Sequence, residues 1–215
     1  MNLETTKLKN PLTHFTDFDD VKDQILYKLV SKNATEFSGR PYMPYLDLAI
    51  IFFIALDITD DGLLSIPINN DLLRVWDVDT KALMACAQKN TPNLFPLSFE
   101  SMDSMIEEHS DEISLQDNEN YLPCFILSNE TRCFGATSIL YDGVLHLIRG
   151  LLKKNYFIIP SSIHELLILP DDGTKDKDYF RETICFVNEK LVAPDERLSD
   201  HPYYYDRSLG KLLIP

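Results

Sequence analysis

An α+β fold with a largely antiparallel sheet flanked by helices is what this sequence predicts, as a single compact chain that divides into two lobes. Three observations predict it. Apolar segments of strand length come in adjacent pairs: residues 48–56 (LAIIFFIAL) precede 63–68 across Asp60-Asp61-Gly62, and 156–160 precede 163–169 across Ser161-Ser162. Segments with helical spacing lie between these pairs, not between single strands, which argues against a parallel βαβ array. The 215 residues are 45% hydrophobic and 25% charged, an ordinary globular balance in a chain long enough for a real core.

The elements follow in order. Residues 1–15 are polar, contain Pro11 and form a lead-in. Thr16 before Asp17-Phe18-Asp19-Asp20 is a helix start with acid in the first turn. Phe18, Val21, Ile25 and Leu29, widened by Leu26 and Val30, then predict a helix over 17–31. Gly39, Pro41 and Pro44 break the following loop. A strand over 46–57 and a second over 63–68 form a hairpin. Asn69 or Asn70 caps a short helix to Trp76, and Asp79 or Thr80 caps another to about Lys89, with Leu83, Met84 and Ala87 as its apolar side. Pro92 and Pro96 punctuate an extended segment, and Met102, Met105 and Ile106 predict a helix over 98–109.

Between residues 100 and 119 stand eight acids and no Lys or Arg: Glu100, Asp103, Glu107, Glu108, Asp111, Glu112, Asp117 and Glu119. The polar stretch 110–120 reads as an exposed acidic loop and as the seam between an N-terminal lobe, 16–109, and a C-terminal lobe, 121–215. The second lobe opens with a strand over 122–128, a turn at Asn129-Glu130 and a short strand through Cys133-Phe134. A helix over 138–153 carries Ile139, Leu140, Val144, Leu147, Ile148 and Leu151. The paired strands follow, then a helix over 176–191 with Phe180, Ile184, Val187 and Leu191. Tyr203-Tyr204-Tyr205 and 211–214 close as a last hairpin.

Composition narrows the function. Lys and Arg number 20 against 34 Asp and Glu, a net charge of −14, which argues against direct nucleic-acid binding because phosphate contacts need cations. The longest apolar run is too short to span a membrane, and the N-terminus has no apolar signal core. Cys86, Cys124, Cys133 and Cys185 form no C-x-x-C pair, as expected of reduced thiols in the cytoplasm. His14, His109, His146, His164 and His201 lie too far apart for a local metal motif, and no cofactor fingerprint is present.

Four features compete for chemistry. Ser161, Ser162, His164 and Glu165 supply the ingredients of nucleophilic catalysis, although a strand would place Ser162 and His164 on one face and Glu165 on the other. The other reading is a hairpin turn whose hydroxyls bond backbone. Asn129, Arg132, Asp142 and Gly143 surround a strand-to-helix passage and suit either an anion or simple caps. Tyr203 and Tyr205, beside Arg207, suit an interface if alternation exposes them and buries Tyr204; the reverse parity would bury both. The acidic run either offers phosphate-like charge to a basic partner or is solvated surface.

The combination of Phe15-Thr16-Asp17-Phe18, Leu46-Asp47-Leu48-Ala49-Ile50, Asn90-Thr91-Pro92, Gly135-Ala136, Tyr141-Asp142-Gly143-Val144-Leu145, Pro160-Ser161-Ser162-Ile163-His164-Glu165, Val192-Ala193-Pro194-Asp195-Glu196 and Leu198-Ser199-Asp200 resembles the domain of unknown function 5688 family over about residues 14–207. That resemblance implies an intracellular bacterial protein of the kind found in gut Firmicutes, one associated with mobile elements or phages. The resemblance further implies family members with a region of strands before the Phe15-Thr16-Asp17 segment, and by that comparison this sequence is expected to lack it. The resemblance carries no catalytic residues. The leading expectation is a non-enzymatic acidic regulator that binds a basic protein partner, in its most concrete form an inhibitor occupying the nucleic-acid channel of a host defence nuclease. The alternatives are a hydrolase or transferase built on Ser161, Ser162, His164 and Glu165, and a structural subunit of a larger assembly.

Overall fold

The computed structural model describes residues 15–59, 62–104 and 123–215. It is an α+β protein built from two compact units, Met1–Pro96 and Leu97–Pro215. The division falls ahead of the seam expected at 110–120, because Leu97–Ser101 is a strand that pairs within the second unit.

The first unit is organised on β3 (Leu48–Thr59). Its run of apolar residues is hydrogen-bonded on both sides, and Ala49 to Ala55 are all buried. β1 (Ile25–Ser31) pairs along one side, from Ile25↔Ile54 to Ser31↔Leu48. β2 (Tyr42–Tyr45) and β4 (Gly62–Pro67) share the other, with a bulge between Ala55 and Asp57. The expected 46–57/63–68 hairpin is present. The expected helix over 17–31 is not: α1 covers only Phe18–Val21, a 3₁₀ turn follows, and the chain then extends into β1. The reason lies in burial. Ile25, Leu26, Tyr27, Leu29 and Val30 are all buried, so the strand shows no alternation and its i, i+4 pairs imitate a helical stripe.

α2 (Asn70–Trp76) starts at Asn69, whose side chain accepts from the Asp71 and Leu72 amides. α3 (Thr80–Leu94) is capped by Asp79, whose side chain accepts from the Ala82 amide, and it continues past the expected end near Lys89. Pro92 is accommodated in its final stretch. The C-terminal part of α3 lies on β1. Thr91 Oγ1 accepts from the Tyr27 amide at 3.2 Å, and Asn90 Nδ2 donates to the Lys22 and Ile25 carbonyls at 2.8 and 3.0 Å. Two of these bonds satisfy outward-facing groups of β1, the Tyr27 N–H and the Ile25 carbonyl, part of the edge backbone that otherwise recruits another chain.

The second unit is a six-stranded antiparallel sheet in the order β10-β9-β7-β8-β6-β5. Its strands are β5 (Leu97–Ser101), β6 (Phe125–Asn129), β7 (Tyr156–Ser162), β8 (Glu165–Pro170), β9 (Tyr203–Asp206) and β10 (Lys211–Leu213). The helix expected over 98–109 is therefore a strand at its start; 102–104 are helical, and 105–109 lie outside the described residues. The short strand expected at 133–134 is a turn. It leads into a 3₁₀ helix, Gly135–Leu140, and then α4 (Val144–Leu152), in place of one helix over 138–153. α5 (Lys177–Lys190) packs on the sheet through Phe180 against Phe157, with ring centroids 4.7 Å apart.

Candidate functional site

The turn between β7 and β8 brings the sequence candidates together and shows what each does. Ser162 pairs with Glu165, leaving Ile163 and His164 at the tip, and the register shifts between Pro160 and Ser162. Ser162 Oγ accepts from the His164 backbone N–H at 3.0 Å, as a serine does in a local turn. Ser161 Oγ donates to Glu165 Oε1 at 3.2 Å. Neither hydroxyl is directed at the imidazole. Ile163 donates its N–H to the Glu196 carbonyl and accepts from the Ala136 N–H, so the tip is tied to two distant segments.

The imidazole turns away from the serines, towards the loop after β6. Its ring stacks near-parallel to Phe134, with centroids 5.9 Å apart. Nδ1 lies 3.3 Å from the Phe134 amide nitrogen and 3.1 Å from the Arg132 carbonyl oxygen, while Nε2 faces Glu196 Oε1 at 3.5 Å. That loop is shaped by Asn129, itself buried, whose Nδ2 donates to the Cys133 carbonyl and whose Oδ1 accepts from Thr131 Oγ1. Arg132 and Phe134 both sit in the left-handed region, at φ 56° and 52°. Each such residue costs about 1–2 kcal/mol for a side chain with Cβ, so the surrounding bonds hold a strained loop in place. Gly135 follows at the point of closest approach to β6 and the turn. A Cβ there would stand 2.0 Å from Ser128 Oγ and 2.3 Å from the His164 carbonyl oxygen.

Charges complete the site. The Arg132 guanidinium pairs with Glu100 of β5 at 3.0 Å and reaches Glu165 of β8 at 3.9 Å. Ser98 Oγ donates to the other oxygen of Glu100 at 2.6 Å. The result is a row of Ser98, Glu100, Arg132, Glu165 and Ser161 running across four segments. All three charged side chains are a third or more exposed, so solvent screens the pairs and their net contribution is small. The two polar clusters that stood apart in the sequence, around Arg132 and around His164, are thus one site. Glu100 reaches it from the acidic run and Glu196 from a segment distinguished only by the family-like stretch 192–196.

The other candidates fall as follows. Asp103 is half-buried, and Glu107, Glu108, Asp111, Glu112, Asp117 and Glu119 lie outside the described residues. Tyr203 and Tyr205 are core residues, which corrects the expectation that they form an exposed face. β9 pairs with β7 so that Tyr205 stacks on Tyr156 with centroids 4.7 Å apart. Tyr204 takes the other side, where its hydroxyl donates to Asp171 at 2.8 Å and accepts from Asn155 at 2.8 Å. Burial and then Asp171 hold its hydroxyl above the usual tyrosine range. Arg207 is exposed. Asp142 and Gly143 lead into α4, with Gly143 at φ 80°.

All four cysteines are free. Burial, followed by Asp103 and Glu165, pushes the Cys124 thiol up to about 11. Among the described residues no three His, Cys, Asp or Glu side chains are grouped to hold a metal. No helix there is long and apolar enough to cross a membrane.

A family model described as a family of unknown function, DUF5688, matches residues 2–207. No curated protein and no solved structure matches the chain.

Proposed function

This chain belongs to the family of unknown function DUF5688, and within that family we propose that it is a non-enzymatic, acidic regulator that acts by binding a basic protein in the cytoplasm. The observation that carries this reading is where the charge sits. The unit Leu97–Pro215 holds 11 Lys and Arg against 21 Asp and Glu, a net −10 of the total −14. Eight of those acids fall within residues 100–119, which contain no base. Such a density of one sign attracts a basic surface and speeds encounter with it. In its most specific form the partner is a nuclease whose basic nucleic-acid channel the acidic segment occupies, taking the place of phosphates. The bonding of Ser161, Ser162 and His164 supports a binding role, since those groups are spent on the turn and its neighbours.

The test is co-purification of the tagged full chain from a bacterial lysate at low and moderate salt, read by mass spectrometry. Purified partner is then titrated with the wild type and with a variant neutralised at Glu107, Glu108, Asp111 and Glu112. The expected outcome is a stoichiometric basic partner whose affinity falls steeply with salt and with neutralisation. Binding that is indifferent to both sinks the electrostatic reading.

A further inference from the structure

One ring nitrogen of His164 faces both a donor and an acceptor. Nδ1 is 3.3 Å from the Phe134 N–H nitrogen and 3.1 Å from the Arg132 carbonyl oxygen, and it cannot satisfy both in one protonation state. Unprotonated, it accepts from Phe134. Protonated, it donates to Arg132 and no longer accepts. Nε2 faces the Glu196 carboxylate at 3.5 Å. A neutral ring with its proton on Nε2 therefore serves Glu196 and Phe134, whereas an imidazolium serves Glu196 and Arg132.

We propose that His164 is a two-position proton switch, which passes its hydrogen bond from Phe134 to Arg132 and so resets the strained 129–135 loop between β6 and the 3₁₀ helix. The side chain is about one-third exposed, so protons reach it. Among the described residues, the charged groups around it come from separate segments. Glu196 faces it from the 193–197 segment, where Asp195 and Arg197 flank that residue and Arg197 Nε is bonded to the Val192 carbonyl. The Arg132 guanidinium comes from the loop and is held by Glu100 of β5 and Glu165 of β8. The 3₁₀ helix Gly135–Leu140 contributes no titratable group. Histidine in general is the side chain whose ordinary charge change falls between about pH 5 and 8, which sets the range over which the test is run. Its mechanical output is specific. Drawing the Arg132 carbonyl to the ring acts on the residue whose guanidinium holds Glu100, in the strand that precedes the acidic segment. The switch is independent of whether that segment binds a partner.

The experiment uses the full ¹⁵N-labelled chain from pH 8 to pH 5. At pH 8 the imidazole ¹⁵N spectrum is expected to show an unprotonated, hydrogen-bonded Nδ1 and a protonated Nε2. As pH falls, both nitrogens protonate, and the Phe134 amide loses roughly five-fold in exchange protection after correction for the intrinsic rate, as expected for one ordinary hydrogen bond. The Ile163 amide, bonded to the Glu196 carbonyl, serves as the unchanged reference. His164→Asn abolishes the response at Phe134. A proton on Nδ1 at pH 8, a flat Phe134 profile in the wild type, or the same profile in His164→Asn overturns the proposal.

Discussion

Gly135→Ala tests the packing on which the site depends. The new Cβ meets the His164 carbonyl oxygen at 2.3 Å, about 1 Å short of the 3.4 Å at which ordinary contact begins, and Ser128 Oγ at 2.0 Å. Ser128 can rotate its hydroxyl away, but then its 2.8 Å bond to the same carbonyl is lost. The carbonyl belongs to a turn tied to Ala136 and Glu196, so it moves only by breaking those bonds. Overpacking costs about 1–3 kcal/mol and the lost hydrogen bond about 1 kcal/mol, for a total of about 3 kcal/mol. At roughly 2–4 °C per kcal/mol for a chain of this size, the melting temperature falls by about 6–12 °C. Urea unfolding with unchanged slope is the primary assay, melting the second. Ser128→Ala in the Gly135→Ala background removes the Oγ clash but keeps those with the Ser128 Cβ, at 2.9 Å, and the His164 carbonyl, so the double variant is less damaged than the sum of the singles yet still weaker than wild type. The internal control is Gly150→Ala, at an exposed position of α4, where nothing lies within 4 Å of the added Cβ; it gains up to about 1 kcal/mol from helix propensity. A loss below about 1 kcal/mol in Gly135→Ala, or equal effects of the two substitutions, refutes the close-approach argument.

Three further expectations follow from burial. Tyr205 has a fully buried hydroxyl with no hydrogen-bond partner among the described residues, so Tyr205→Phe is neutral or stabilising by up to about 1 kcal/mol, whereas Tyr204→Phe, which breaks the bonds to Asp171 and Asn155, costs about 1–2 kcal/mol in the same urea assay. Burial pushes the Tyr141 hydroxyl up to about 12 from an ordinary 10. The folded state therefore holds that proton longer than the unfolded chain, and the associated stability is complete below pH 10 and lost as pH rises through 12. That amounts to roughly 2–3 kcal/mol, and Tyr141→Phe should flatten this part of the profile; parallel losses in both proteins would count against it. Finally, the Cys124 thiol, at about 11, should alkylate at least about tenfold more slowly at pH 8 than exposed Cys185, as mapped by peptide mass spectrometry, with the difference vanishing in denaturant.

Much of the architecture is legible in residue order. The Asp60-Asp61-Gly62 turn signal, the Asn69 and Asp79 caps and the apolar spacing of 177–190 identify their elements because each is settled by local chemistry. Residues 25–31 mislead because a strand buried on both faces has no period of its own, and its identity is fixed by pairing with β3. The tyrosine triplet poses the same difficulty in miniature. Alternation separates Tyr204 from its neighbours, but the face that goes inside depends on β9 docking beside β7. The site was half visible. Ser161, Ser162, His164 and Glu165 stand out by composition, as does Arg132, yet the groups that determine their behaviour, Phe134, Glu196, Glu100 and Gly135, are between 29 and 64 positions away from His164. Chemistry at a turn tip is written by whichever segments the fold brings there.

The closing of β1 by Asn90 and Thr91 has a consequence for how the chain is made. The bonds to this edge join residues 64 and 65 positions apart, and the helix that supplies them is synthesised after all four strands of the first sheet. At about 5–20 residues per second, a ribosome needs roughly 3–13 s to produce the intervening chain. Throughout that interval β1, with Ile25, Leu26, Tyr27, Leu29 and Val30 along it, can add to a strand of any neighbouring nascent copy. Translation speed across residues 70–94, and the spacing of ribosomes on the message, therefore bear on the yield of folded protein in a way that no substitution within the finished sheet would reveal.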